Sequence, residues 1–212
     1  MKKIIQGLLL LLLFTSSISS FADEIKISAI VPKPIGGLPK TGQTIQYQTY
    51  DDGDYQMGTP VSGYHYKDNL NGTITDYATG LMWAQDPSLC GGTIVYDATN
   101  LWASDPGTPR QMTWADAITN CEALSYAGHN DWRLPNVREL QSIVDYGRYE
   151  PSIDTSFFTS VPSTYTFYWS STTHASVTGV ARDVDFHRGD VISSSSKDAA
   201  RYVRPVRSGS AP

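Results

Sequence analysis

The chain has 212 residues, of which 16 are basic and 21 acidic, so its formal net charge is −5. This acidic balance argues against a general nucleic-acid binder, which would be basic. The length suits one sizeable domain after removal of an export signal.

The first 22 residues have the pattern of a signal peptide. Lys2 and Lys3 precede an apolar run over residues 7–14, and Ser20 and Ala22 are small residues placed for cleavage. The apolar run is shorter than the roughly 20 residues that a membrane span needs. We therefore expect residues 1–22 to be removed, leaving a periplasmic or secreted chain without a membrane span.

Two segments follow the signal peptide. Residues 23–43 predict a short strand and a linker, because a brief apolar alternation gives way to prolines and glycines. Residues 44–209 are expected to form a single domain. Its first element is predicted to be a strand over Thr44 to Tyr50, where Ile45 and Tyr47 alternate with polar residues.

Three carboxylates come next, at Asp51, Asp52 and Asp54. Such oxygens could wrap a calcium ion, which takes about six to eight oxygen ligands. The segment lacks the spacing and the distal glutamate of a calcium hand, so a solvated turn is the preferred interpretation. The four histidines lack paired ligand spacing, and neither a transition metal nor a cofactor is expected.

The next stretch predicts two tight turns and a long loop. Asn71-Gly72 and Thr79-Gly80 are turn signals that would form a hairpin leading to a core tryptophan, Trp83. Residues 86–110 contain too many prolines and glycines for a regular element. We expect this loop to be tied down by a disulfide.

Two helices are predicted around a short WRLP strand. Thr113 is a good N-cap, the apolar residues from Trp114 to Leu124 recur at helical spacing, and Gly128 is the expected stop. In the second helix, Asn136 and Glu139 fit a capping box. Its expected apolar stripe is Val137, Leu140, Ile143 and Val144.

The remaining third of the chain predicts a loop and three strands. The loop spans residues 147–162, with Phe157 and Phe158 as a core plug. Strands are expected from Phe167 into residues 170–173, and over Val180 to Phe186 with Asp183 and Asp185 on the less buried side. A solvated loop at residues 193–196 then leads to a closing strand at residues 202–206.

The chain has two cysteines, Cys90 and Cys121. In an exported protein such a pair favours one disulfide, which would close a loop of about thirty residues and add roughly 3 to 4 kcal/mol to stability in the chain-entropy model. The alternative is two free thiols.

The runs GTITDYATGLMWAQD, TWADAITNCEAL, NDWRLPNVRELQSIVDY, YWSSTT and DAARYVRPVR, in this order, resemble the C-terminal domain of the Legionella collagen-like adhesin. The resemblance covers roughly residues 69–207. It implies an α+β, C-type-lectin-like fold, with two helices packed on a small, mainly antiparallel sheet and long loops. It also implies extracellular binding, with glycans as the ligand class.

Two classes of function follow, a binding module and an enzyme. The WRLPNVREL run also resembles the formylglycine-generating sulfatase-modifying proteins, but these depend on a cysteine pair late in the chain, and this sequence has no cysteine after Cys121. We therefore expect a non-catalytic, adhesin-like domain that binds glycan or another surface component. A structural envelope protein with a protein partner is the remaining alternative, and oligomer formation is open.

Sugars stack on aromatic faces and hydrogen-bond to polar rims, which selects Trp102, Trp169, Ser171 and Thr172 as candidate ligand-binding residues. Arg188 and Arg201 are further candidates, because arginine forks suit sulfate and carboxylate groups. The competing interpretations are that the tryptophans belong to the core and that the arginines pair with aspartates across adjacent strands.

Overall fold

The computed structural model describes residues 38–58, 65–86, 111–162 and 167–209, and all of them belong to one compact unit. The helices in these ranges are α1 (Asp52–Tyr55), α2 (Trp114–Glu122) and α3 (Val137–Gln141). The strands are β1 (Tyr66–Asp68), β2 (Thr73–Asp76), β3 (Leu81–Ala84), β4 (Phe167–Thr173), β5 (Val180–Asp185), β6 (Asp190–Ser196) and β7 (Val206–Ser208). The predicted α+β class is confirmed. None of these helices combines the length and the apolar character needed to cross a membrane.

The first sheet is antiparallel, with strand order β1-β2-β3-β7. Both predicted turns are present, and Gly72 (φ +84°) and Gly80 (φ +72°) adopt the left-handed backbone that favours glycine. Trp83 pairs with Ile74 on one side and with Val206 on the other, and its side chain is fully buried. The predicted core tryptophan is therefore confirmed.

The second sheet is antiparallel, with strand order β4-β5-β6. Two details of the prediction are wrong. Residues 193–196 belong to β6 instead of a solvated loop, because they continue its pairing with β5 as far as Ser196 opposite Val180. Asp183 and Asp185 are buried, because both sides of β5 are covered, whereas the alternating pattern predicted one less buried side.

Helix α2 begins as predicted and ends earlier. The Thr113 hydroxyl accepts the backbone N–H of Asp116, which confirms the N-cap. The helix ends at Glu122, and Gly128 lies instead in the two-residue turn between Tyr126 and His129, at φ +80°. The glycine is thus a turn residue, and its prediction as the helix stop is wrong.

Helix α3 has the predicted capping box. The Asn136 side chain accepts the N–H groups of Arg138 and Glu139, and the Glu139 carboxylate accepts the Asn136 N–H. The helix is only five residues long, so Ile143 and Val144 lie beyond its end, although both are buried as expected. The apolar stripe therefore continues into a turn.

We expect Asn136→Ala to lower the free energy of unfolding by about 1 kcal/mol, because the N-terminal N–H groups of α3 lose their acceptor. Urea denaturation monitored by tryptophan fluorescence measures this change. Arg138→Ala is the matched control in the same helix, since Arg138 is exposed, and a shift within about 0.5 kcal/mol is expected. Equal losses in both variants would contradict a specific capping role.

The WRLP segment joins the helices to the first sheet through a single bridge. Arg133 exchanges both backbone hydrogen bonds with Val206, at 2.9 and 3.0 Å. Trp132 and Leu134 on either side of it are buried. The predicted strand is thus reduced to one bridge between two buried side chains.

Two clusters form the core. The larger contains Trp83, Leu140, Tyr168 and Phe158, which confirms Phe158 as the plug of the loop at residues 147–162. The smaller joins α2 to the second sheet and contains Cys121 and Trp169. Cys90 and the rest of the predicted loop at residues 87–110 lie outside the described residues, and the Cys90–Cys121 disulfide stays a prediction.

Two predicted strands are wrong. Residues 44–50 form bends and turns, because the Asp51 carboxylate accepts the N–H groups of Tyr47 and Gln48 at 2.8 and 3.2 Å. The closing strand is β7 at residues 206–208 and does not start at 202. Pro205 has no N–H to donate, although its carbonyl accepts the N–H of Ala84 at 3.1 Å.

Candidate functional site

The two tryptophans proposed for sugar stacking do not form an accessible site in the described chain. Trp169 is fully buried in β4, and its indole Nε1 donates to the Met112 carbonyl at 2.9 Å. The stacking role predicted for it is therefore wrong, and the competing core interpretation is correct. Trp102 lies outside the described residues.

Ser171 and Thr172 lie at the end of β4, beside the start of α3. The Ser171 N–H donates to the Pro135 carbonyl at 2.8 Å, and the Thr172 hydroxyl accepts the Val137 N–H at 3.1 Å. Thr172 thus anchors α3, whereas the Ser171 side chain is exposed.

The structure separates the two candidate arginines into different environments. Arg201 donates from Nε to the buried Asp183 carboxylate at 3.1 Å, which matches the competing interpretation of cross-strand pairing. Burial raises the pKa of Asp183, while hydrogen bonds from Ser195 and Arg201 oppose the rise. Arg188 is exposed in the turn between β5 and β6.

Arg204 and Arg207 also have structural partners. Arg204 is fully buried, and its guanidinium donates to the carbonyls of Ala84, Gln85 and Thr159. Arg207 makes a two-point contact with Asp131 at 2.7 and 3.0 Å, and this hydrogen bonding lowers the pKa of Asp131. Of Arg188, Arg201, Arg204 and Arg207, Arg188 is the exposed one and therefore the better candidate for ligand contact.

The calcium candidates lie in and before α1. Asp51 is the N-cap of this helix, and its carboxylate accepts backbone N–H groups, first that of Tyr47, which lowers its pKa. Asp52 accepts the Thr41 hydroxyl and Asp54 accepts the Tyr50 N–H. No group of three His, Cys, Asp or Glu side chains suited to a metal ion occurs in the described ranges.

His65 belongs to a buried polar cluster at the β2–β3 turn. Its side chain is fully buried, and its Nε2 lies 2.9 Å from an Asp76 carboxylate oxygen. Asp76 also accepts the N–H of Ala78 at 2.9 Å and the hydroxyl of Thr79 at 2.5 Å. This polar cluster holds the β2–β3 turn.

Sequence reasoning missed a group of exposed tyrosines. Three lie in residues 38–58, which we call the N-terminal strap, and two lie in the loop that follows α3. We call the group the tyrosine face, and its members are Tyr47 (79% exposed), Tyr50 (72%), Tyr55 (58%), Tyr146 (44%) and Tyr149 (68%). The runs YQTYDDGDY and DYGRY were the available signal.

Backbone contacts bring the strap to the loop after α3. The Tyr146 N–H donates to the Thr41 carbonyl at 2.6 Å, and the Thr41 hydroxyl donates to Asp52 at the start of α1. Gly42 (φ +91°) permits this approach, because a Cβ there would overlap Asp145 Oδ1. The strap is therefore held against the loop at a defined position.

The turn between β5 and β6 lies beside the same loop. The rings of Tyr149 and His187 are 5.9 Å apart, and His187 Nε2 lies 3.2 Å from a Glu150 carboxylate oxygen. A hydrogen bond to Glu150 raises the pKa of Tyr149, and the positive charge of Arg188 opposes that rise. The turn that carries Arg188 therefore lies beside Tyr149.

The matching protein family is described as the Lcl C-terminal domain, and its model covers residues 72–207. The chain belongs to this family. The resemblance found in the sequence is thereby confirmed, and membership in the Lcl C-terminal domain family indicates an adhesin-related domain. No curated protein matches the chain significantly. Tyr146, Tyr149 and Arg188 lie within the matched residues, whereas the strap precedes them.

Proposed function

We propose that this protein is an exported, non-catalytic, adhesin-like domain that recognises glycan or another cell-surface component. The observation that carries the proposal is the tyrosine face, with five rings between 44% and 79% exposed. Membership of the chain in the Lcl C-terminal domain family supports the same class of function. A periplasmic or extracellular location is part of the proposal and is supported by the signal-peptide pattern of residues 1–22.

Exposed aromatic rings favour binding because covering their apolar surface with a partner lowers the free energy. Tyrosine carries a large apolar surface with a polar tip, and it is enriched where one side of the ring contacts a partner and the other stays wet. Single exposed apolar residues need no explanation, but neighbouring ones mark interaction sites. Two of these rings, Tyr50 and Tyr55, already stack on each other at 5.9 Å. Such preorganisation lowers the entropic cost of binding.

The non-catalytic part of the proposal is supported by the cysteine positions. The formylglycine-generating proteins use a late cysteine pair, and here no cysteine follows Cys121. Cys121 is buried beside Trp169 in the smaller core cluster. Because the Cys121 side chain is buried, it is not part of the exposed tyrosine face.

A glycan array with the purified mature protein tests the proposal. We expect reproducible binding to a subset of glycans, with the same pattern after calcium removal, because backbone N–H groups already occupy the Asp51 carboxylate. Mass spectrometry of the bound sugars is the control for turnover.

Two outcomes would each contradict one part of the proposal. Hydrolysis of a bound sugar would assign an enzyme instead of a binding module. Absence of binding to neutral, uronic and sulfated glycans alike would exclude glycan recognition and leave a protein partner.

A further inference from the structure

We infer that the N-terminal strap and the loop after α3 form one composite binding face, and that this face takes an uncharged glycan. The inference rests on the proposed binding function and adds two things to it. Residues outside the matched family region supply part of the site, and the ligand belongs to a defined chemical class.

The composite nature follows from the contacts of Thr41. Its carbonyl accepts the Tyr146 N–H, and its hydroxyl donates to Asp52 of α1. Tyr50 and Tyr55 flank Asp52 in the chain, and Tyr149 follows Tyr146 by three residues. One residue of the strap therefore contacts both segments that carry the exposed rings.

The strap has a fixed internal shape that keeps its tyrosines in place. Asp51 caps α1, and Asp54 accepts the Tyr50 N–H at 3.1 Å. Gly53 packs so closely on the backbone of Ile45 that a Cβ would overlap the Ile45 carbonyl oxygen. The strap thus presents the Tyr50–Tyr55 pair on a turn that its own hydrogen bonds define.

The ligand class follows from charge. The strap, residues 145–154 and residues 187–190 together contain seven carboxylates and three basic side chains. Arg148 is already paired with Asp145 and Asp154, which leaves Arg188 as the exposed arginine beside Tyr149. An anionic polymer would be repelled by this face over about one Debye length, roughly 8 Å at physiological salt.

An uncharged sugar interacts favourably with the same groups. Its C–H faces stack on tyrosine rings, and its hydroxyl groups donate to carboxylate oxygens such as those of Asp52, Asp54 and Glu150. Hydrogen bonds to charged acceptors are stronger than neutral ones, so the carboxylates add affinity without requiring a charged ligand. The chemistry of the face therefore selects neutral hexose chains over sulfated or uronic ones.

The test compares polymers, salt and variants on the full mature chain. The probes are a neutral mannan, a neutral β-glucan, a sulfated polysaccharide and polygalacturonate, with affinity measured by biolayer interferometry from low to high salt. We expect binding to a neutral polymer that changes less than about twofold with salt, because no phosphate-like or sulfate charge is neutralised.

Separate variants test the contribution of the N-terminal strap and that of the loop after α3. Tyr50→Ala with Tyr55→Ala, and separately Tyr149→Ala, should each weaken binding about tenfold, since a stacked aromatic contact contributes that order of affinity. Leu70→Ser is the matched control, because Leu70 is 90% exposed in the β1–β2 connection. It should bind like the unsubstituted protein.

A backbone variant tests the docking of the strap. Gly42→Val introduces a Cβ against Asp145 and should reduce binding as much as loss of the strap tyrosines, although every tyrosine is retained. Gly128→Val is its control, since Gly128 also has positive φ (+80°), but a Cβ added there would meet no atom of the described chain within 4 Å.

Three results would overturn the inference. Exclusive binding to the anionic polymers, weakening steeply with salt, would assign a charged ligand. Neutral-polymer binding that survives all tyrosine and Gly42 variants would place the site elsewhere. Failure to bind any of the four polymers or any arrayed glycan would overturn this inference together with the glycan part of the proposed function.

Discussion

Replacing Arg204 with methionine is expected to lower the free energy of unfolding by about 3 to 5 kcal/mol. The guanidinium is fully buried and donates to the Ala84, Gln85 and Thr159 carbonyls at 3.0, 2.6 and 3.2 Å. Methionine fills similar volume but removes the donors to these three carbonyls, of which that of Ala84 is buried. Burial lowers the pKa of Arg204, which reflects the cost that these hydrogen bonds offset.

Chemical denaturation monitored by circular dichroism measures this loss. Arg188→Met is the matched control, because Arg188 is exposed in the β5–β6 turn, and a change within about 0.5 kcal/mol is expected. Should the Arg204→Met protein be insoluble, Arg204→Lys retains the charge and some donors and should show an intermediate loss. A loss below about 1 kcal/mol in Arg204→Met would contradict the role assigned to Arg204.

Replacing Arg201 with methionine is expected to cost about 2 to 3 kcal/mol at neutral pH, because it leaves the Asp183 carboxylate buried without its cation. Arg201 Nε lies 3.1 Å from Asp183 Oδ2, and the Ser195 hydroxyl donates to the same oxygen at 2.5 Å. The Asp183 side chain is fully buried and that of Arg201 is 27% exposed. Partial exposure of Arg201 keeps the expected loss below that for Arg204.

The loss should depend on pH in a defined direction. Burial raises the pKa of Asp183 above its unfolded value, so the folded state binds this proton more readily. The contribution of Asp183 to stability is therefore greatest at low pH and falls as pH rises from the unfolded pKa, about 4, through the folded pKa. Removing Arg201 raises the folded pKa further, so the difference between variant and parent should be small near pH 4 and grow toward pH 7.

A double variant isolates the charge effect. Asp183→Asn combined with Arg201→Met removes the buried charge and should recover most of the lost stability at neutral pH. Arg148→Met is the comparison for an exposed ion pair, since Arg148 is 45% exposed beside Asp145 and Asp154, and about 1 kcal/mol or less is expected. A pH-independent loss in Arg201→Met would contradict this account.

Local sequence signals predicted the parts of the fold that depend on local hydrogen bonds. The caps at Thr113 and Asn136 and the turns at Gly72 and Gly80 are present, because each needs only neighbouring backbone and one particular side chain. The same logic failed at Gly128, since positive φ serves a turn as well as a helix end.

Strand predictions failed where contacts with another segment decide whether residues form a strand. The polar run at residues 193–196 pairs with β5, whereas residues 44–50 alternate as a strand should but are drawn into turns by the Asp51 carboxylate. Strand pairing depends on two segments of the chain, so the sequence pattern of one segment alone cannot predict it.

Local sequence patterns were also insufficient to place the candidate site residues. The charge pattern predicted Arg188 and Arg201 alike, and only the structure shows that Arg188 is exposed and that Arg201 pairs with Asp183. The aromatic pattern misplaces Trp169, because an aromatic residue in a strand has the same local pattern whether its face is covered or exposed. The strap tyrosines escape sequence reasoning because their segment alternates like a strand.

Residue types at fixed local spacing were enough to predict the α+β class, the family and the capped helices. Which arginines are buried and which rings stay exposed became known only from the packing of the folded chain. Arg204 and Arg188 are the same residue type, yet Arg204 is buried and donates to three carbonyls, whereas Arg188 is exposed beside Tyr149. Burial depends on what packs over a side chain, and that comes from distant parts of the chain.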